Sequence, residues 1–147
     1  MIIRDEIVAE ARRWIGTPYR HQASMMGAGS DCLGLIRGVW RGLLGEEPET
    51  VPAYTADWSE TTGEEDLLRA AGKWLRSKPL HSNDIGDVIV FRMRSNGVAK
   101  HLGLTACRHG LPTFIHAYTG HGVMETPLSQ PWQRKIAGRF EFPLGVS

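Results

Sequence analysis

The sequence predicts an α+β protein, with helices first and an antiparallel sheet after them. Apolar residues recur at helical spacing in three stretches before residue 76. From residue 87 onward they alternate at a period of two between turn residues. The length of 147 residues, 41% of them hydrophobic, suits a core of ordinary size, and residues 1–147 read as a single domain.

Each element has its own signal. Ile7, Val8, Ala11, Trp14 and Ile15 fall on one face of a helix over 5–15, with Asp5 as its N-cap and Gly16 and Pro18 as its stop. Residues 20–30 show no period and read as a loop. Cys32, Leu35, Ile36, Val39, Trp40 and Leu43 form the apolar stripe of a second helix, which begins near Asp31 and is capped by Gly45. The Pro- and acid-rich stretch 46–61 reads as a long loop. Thr62-Gly63-Glu64-Glu65 then sets a hydroxyl and a carboxylate three apart, the pattern of a capping box. A third helix follows, marked by Leu67, Leu68, Ala71, Trp74 and Leu75.

The strands come next. Residues 87–92 are a short buried strand. Leu102, Leu104 and Ala106 alternate with His101, Gly103 and Thr105, and Thr113, Ile115 and Ala117 alternate with Phe114, His116 and Tyr118. Gly110 and Pro112 mark the turn between these two strands. Further strands are read over 122–126 and 135–142, the latter with Ile136, Gly138, Phe140 and Phe142 on one face.

Composition removes several function classes. The formal net charge is +1 and no basic run exceeds two residues, which argues against nucleic acid as a partner. No stretch approaches the ~20 apolar residues of a membrane span. Residues Met1 to Glu6 turn charged at once, so synthesis in a reducing cytoplasm without general export is expected. Two cysteines cannot build a disulfide framework, which leaves room for a reactive thiol. Cys107 reads as a small buried hydrophobe near a strand end.

Cys32 is the candidate nucleophile. It sits in the first turn of the second helix, where the helix dipole favours a thiolate. His101 and His116 are the candidates for its base and for an orienting partner. Directly opposed residues of a hairpin share a face. An even-numbered loop between the two strands therefore puts both histidines on one face, and an odd one separates them. In the first case His101 takes the thiol proton and His116 holds the other nitrogen of His101. The backbone N–H of Cys32 and the hydroxyl of Tyr19 are candidate oxyanion donors. Taken singly, each residue also has a packing explanation. His21, His81, His109 and His121 read as loop residues, and the spacing of Cys and His matches no metal motif, so no cofactor is expected.

The ordered set Gly16-Thr17-Pro18-Tyr19, Asp31-Cys32-x-Gly34, Gly86-Asp87-Val88-Ile89-Val90-Phe91, His101-x-Gly103 and Phe114-Ile115-His116-Ala117 resembles the NlpC-type cell-wall peptidases. These are a bacterial branch of the papain-like cysteine peptidase fold. The likeness runs from about residue 7 to residue 126. Residues 16–24, Arg37-Gly38-Val39-Trp40-Arg41, Pro52-Ala53-Tyr54 with Asp57-Trp58, Trp132 and Ala137-Gly138-Arg139-Phe140 look similar to the family's phage branch. That branch includes tail-associated peptidases of prophages and gene transfer agents.

The resemblance implies a peptidase that cuts amide bonds in peptidoglycan stem peptides, with no cofactor. Cys32 is then the nucleophile, His101 the general base and His116 the orienting residue, while Tyr19 and Asp31 stand on the oxyanion and substrate-binding side. It also implies phage-like tail-tip or hub proteins as partners. Ser30 and Leu33 depart from the family's usual aromatic residue and serine around the Asp-Cys pair, and loop 20–30 is longer than in secreted members. These departures lie beside the nucleophile and bear on substrate preference. A catalytically idle tail-assembly module with the same fold is the rival expectation.

Overall fold

The computed structural model describes residues 2–48, 54 and 65–143. The helices are α1 (Arg4–Arg12), α2 (Cys32–Leu44), α3 (Asp66–Trp74) and the one-turn α4 (Gln130–Gln133). The strands are β1 (Ser24–Met25), β2 (Gly29–Ser30), β3 (Arg76–Ser77), β4 (Asp87–Arg92), β5 (Ala99–Arg108), β6 (Leu111–Tyr118), β7 (Gly122–Pro127) and β8 (Ile136–Glu141). The main sheet runs β3-β8-β4-β5-β6-β7 and is antiparallel throughout. This is the α+β arrangement expected from the order of periodicities. Among the described residues no helix is long and apolar enough to cross a membrane.

The sheet buries both faces. On one side Ile7, Val8 and Ala11 of α1, Leu35, Ile36 and Val39 of α2, and Leu67 and Ala71 of α3 pack on Val88, Val90, Leu102, Leu104, Ile115 and Ala117. On the other, Ile89, Phe91, Phe114 and Leu128 form a smaller cluster with Met93, Trp132 and Ile136. One sheet end is tied by the buried carboxylate of Asp87. It accepts from Arg139 Nε at 2.8 Å, Arg4 Nη1 at 2.9 Å and Lys78 Nζ at 3.0 Å, joining β4 to β8, α1 and the segment after β3. Removing one member of a buried ionic group leaves its partners uncompensated, at a cost of about 3–5 kcal/mol.

The connection between β5 and β6 is the two-residue loop His109-Gly110, with φ of +55° and +79°. Both central residues are left-handed, as a type I′ turn requires, and glycine takes that conformation without steric cost. The loop is even, so the condition for a shared face is met.

Several expectations are corrected. α1 starts one residue early, with Ile3 as N-cap and Asp5 in its first turn. It also stops at Arg12, so helical spacing no longer sets the direction of Ile15, which is 42% exposed while Trp14 is buried. Stretch 20–30 contains the β1–β2 hairpin, whose two-residue strands are too short to show a period. Cys107 is exposed. It lies past Leu104, where pairing with β4 ends, in the part of the β5–β6 hairpin that projects beyond the core. Ile136 points away from Phe140 and Phe142 because a bulge opposite Val90–Phe91 flips its side of the strand.

The capping box falls mostly outside the described residues, as do residues 49–53 and 55–61 of the long loop. Glu65 is the N-cap of α3 without a side-chain cap bond. Its carboxylate instead accepts from Ala99 N–H at 2.9 Å and from the Arg92 guanidinium, at the β4–β5 bulge.

Gly34 marks a close approach. A Cβ there would stand 2.0 Å from the carbonyl oxygen of Ala23, which is backbone and cannot step aside. We predict that Gly34→Ala destabilises the protein by about 1–3 kcal/mol in denaturant unfolding, although alanine is the better helix former. Unchanged or raised stability would show that the 20–30 hairpin is not seated on α2.

Candidate active site

Cys32 is the first residue of α2, and its position is set by Asp31. One oxygen of the buried Asp31 carboxylate accepts from Gly34 N–H at 2.8 Å, which caps the helix. The other accepts from Gln22 N–H at 2.7 Å and from the Tyr54 hydroxyl. Gln22 has φ +64°, an unfavourable conformation for a non-glycine residue, and the bond to Asp31 holds it there. The hairpin is fastened further by Ser24, whose hydroxyl donates to Gly34 O at 2.6 Å, and by Arg41, which donates to Ser24 O at 2.7 Å. The helix start and the stretch before it thus form one hydrogen-bonded block.

The histidines come from β5 and β6. The β5–β6 pairs run from Arg108–Leu111 to Leu104–Ile115. His101 and His116 lie beyond the last pair, though the strands still run close there: a Cβ on Gly103 would stand 3.5 Å from that of His116. Their rings are on the face that carries Phe91, Phe114 and Trp132. Cys32 packs with Leu102, Leu104, Ile115 and Ala117 on the helix side. The backbone of Leu102 acts on the Cys32 thiol, which places it over β5 on the helix side of the sheet.

His101 Nε2 lies 2.8 Å from His116 Nδ1, and His116 Nε2 lies 2.8 Å from Thr126 Oγ1 in β7. Rings enclose this row: Phe91 stacks on His101 with centroids 5.7 Å apart, and Trp132 meets His116 edge-on at 5.6 Å. His101 and Cys32 both line an open cleft of about 330 Å³, together with Tyr19, His21, Tyr54, Met93, Lys100, Ala117, Tyr118 and Thr119. The structure therefore brings Cys32, His101 and Tyr19 to one cleft, with His116 behind His101. Asp31 sits beneath, its carboxylate engaged by the block around the helix start. His21, read as a loop residue, lines the cleft and bonds Tyr54 O through Nε2 at 2.9 Å.

Electrostatics here run against the helix dipole. Burial first, and then the neighbouring Asp31 carboxylate, push the Cys32 thiol up to about 12, outweighing the backbone N–H groups of Leu102, Leu33 and Cys32 that favour the thiolate. Burial and the capping carboxylate thus oppose the thiolate preference expected from the helix start. The capping carboxylate offsets the positive end of the dipole, and desolvation disfavours any charge. Burial also lowers His101 from 6.5 to about 4, and burial, then His101 and His121, lower His116 to about 3. At neutral pH the resting site holds a thiol and neutral imidazoles. Burial and the nearby Cys32 push the Tyr19 phenol up as well.

No protein-family profile matches the chain. It is 27% identical over 133 residues to the Escherichia coli (strain K12) protein named murein DD-endopeptidase MepS/murein LD-carboxypeptidase, a match covering 90% of this chain. The chain spans 59% of the length of that relative. Among solved structures, the NlpC/p60 domain of peptidoglycan hydrolase SagA superposes with a TM-score of 0.60 at 22% identity, covering 96% of this chain and 100% of that one. The chain has the NlpC/p60 fold. An NlpC/p60 family protein from Bacillus cereus ATCC 10987 superposes with a TM-score of 0.61 at 20% identity over 95% of this chain and 40% of its own. An NLP/P60 family protein from Staphylococcus aureus subsp. aureus Mu50 gives 0.60 at 20% identity, over 97% and 42%. Here the sheet of that fold carries the two imidazoles on neighbouring strands, β5 and β6.

The neutral histidines have a consequence for stability. The unfolded chain takes protons at both sites near pH 6.5, whereas the folded chain does not until about 4 and about 3. Their contribution is full above about pH 6.5 and is lost as the pH falls toward 4. We expect the melting temperature to drop between about pH 6.5 and about pH 5, above the range where ordinary carboxylates titrate. The drop should be shallower in His116→Gln. Equal slopes for both proteins in that window would contradict the burial of a neutral His116.

Proposed function

We propose that this chain is a cysteine endopeptidase that hydrolyses amide bonds in peptidoglycan stem peptides. The observation that carries this reading is the His101–His116 hydrogen bond beside a cleft that His101 shares with the thiol at the start of α2. The names of the Escherichia coli relative, a murein endopeptidase, and of SagA, a peptidoglycan hydrolase, support the substrate class.

In this reading His101 Nε2–H donates to His116 Nδ1, leaving Nδ1 of His101 as the base. Nδ1 takes the proton of Cys32, and the sulfur attacks the carbonyl carbon of the scissile amide. The C–O electron pair moves onto oxygen, which the backbone N–H of Cys32 and the Tyr19 hydroxyl stabilise. Collapse breaks the C–N bond, and the His101 imidazolium returns its proton to the departing amine. Water, deprotonated by His101, then cleaves the thioester and restores the thiol. A resting thiol–imidazole pair suits this order, because charge is created only once substrate is bound and water is excluded. The likeness of residues 16–24 and 37–41 to tail-associated peptidases supports delivery to the wall by a phage-like tail, with tail-tip or hub proteins as partners.

Digestion of purified peptidoglycan, read by mass spectrometry, tests the chemistry. Under reducing conditions the wild type should release new amine ends, chelator should leave the rate unchanged, and Cys32→Ala should lose at least about 10³-fold. Equal products from both proteins, or none from the wild type, would leave the idle-module reading standing. For delivery, the chain should co-sediment with intact tail particles from its source cells; its absence from them would rule out the tail.

A further inference from the structure

We propose that Thr126 is a positioning residue for the histidine pair: its hydroxyl accepts from His116 Nε2–H and thereby supports the imidazolium that His101 becomes during turnover. The proposal rests on the thiol-peptidase reading above. Once His101 Nδ1 has taken the Cys32 proton, both of its nitrogens carry hydrogen. Its Nε2–H must donate, so His116 Nδ1 must accept. A neutral imidazole that accepts at Nδ1 carries its own proton on Nε2, and that N–H then requires an acceptor. Thr126 Oγ1 stands 2.8 Å away.

At rest a hydroxyl can serve either tautomer of His116, as donor or as acceptor. The demand for an acceptor belongs to the charged state, which is what makes Thr126 more than a packing residue. The surroundings offer little else. His116 is 1% exposed, so bulk water does not replace the bond. Around the pair, β5 supplies His101, β6 supplies Tyr118, the turn before β7 supplies His121 and α4 supplies Trp132. Lys100 and His21 line the cleft side of His101. Glu125, the nearest carboxylate in sequence, points to the opposite face, where Arg12 donates to it at 2.9 Å and Thr113 at 2.6 Å. Register explains the choice: Thr126 pairs with Phe114 and His116 with Met124, so Thr126 and His116 share a face two pairs apart.

The test compares Thr126→Val, which keeps the shape and removes the acceptor, with Thr126→Ser, which restores it. Purified muropeptides give kcat and KM, and NMR of the imidazole nitrogens follows both histidines through a pH titration of the full chain. Thr126→Val should lower kcat about 10-fold or more, leave KM within about twofold and move the His101 titration to lower pH, with Thr126→Ser close to wild type. An unchanged kcat and titration in Thr126→Val would overturn the proposal. So would a Thr126→Ser variant as impaired as Thr126→Val, since shape alone would then explain the loss. The titration needs no substrate, so it decides the role of Thr126 even where wild type proves inactive on muropeptides, a result that counts against the peptidase reading alone.

Discussion

The site depends on the pairing parity of β5 and β6. A side chain's face is decided by counting residues from the turn, and a slip of one sends every residue to the opposite side. The two-residue turn at His109-Gly110 makes the count even, so His101 and His116 share a face. The pairing then ends at Leu104–Ile115, short of both histidines. Beyond that pair the backbone of Leu102 in β5 favours the Cys32 thiolate. The thiol on the helix side and the His101 imidazole on the far side border one cleft.

Placement of the thiol depends on a second constraint, the saturation of Asp31. Its two oxygens accept from a helix N–H, a loop N–H and a phenol, so the helix start, the hairpin and Tyr54 hold one another. The same carboxylate sets the electrostatics. A helix N-terminus carries roughly half a positive charge. The Asp31 cap beside it works against that benefit, and burial disfavours the thiolate most of all. Position at a helix start is therefore not sufficient to predict thiolate character; the charge of the cap has to be counted too.

These two constraints also mark how far the residues alone could lead. The helix stripe of α2, its start at Asp31 and the alternation in β5 and β6 were legible, because each repeats over enough residues to define a face. The shared face of the histidines was legible only as a condition on loop length, which φ at His109 and Gly110 resolves. Less could be read where periodicity was short or broken. β1 and β2 have two residues each, Ile15 follows the end of α1, and the bulge at β8 reverses Ile136. Thr126 was placed in a strand but not in the site. The signal was available in outline, since Thr126 lies in the strand after His116, but only the β6–β7 register shows that the two share a face.

In the proposed mechanism, a histidine in the third position changes what the rest of the site must supply. A carboxylate there would carry a fixed negative charge and stabilise an imidazolium directly. His116 is neutral and buried, so it contributes only a hydrogen bond, and its second nitrogen passes the demand outward. In the proposed mechanism each group in the row donates to the next, ending on a hydroxyl that carries no charge. The arrangement keeps the resting site uncharged, which agrees with the apolar rings that enclose it. In that mechanism β7 belongs to the machinery, since the end of the row is fixed by the β6–β7 register just as its beginning is fixed by the β5–β6 turn.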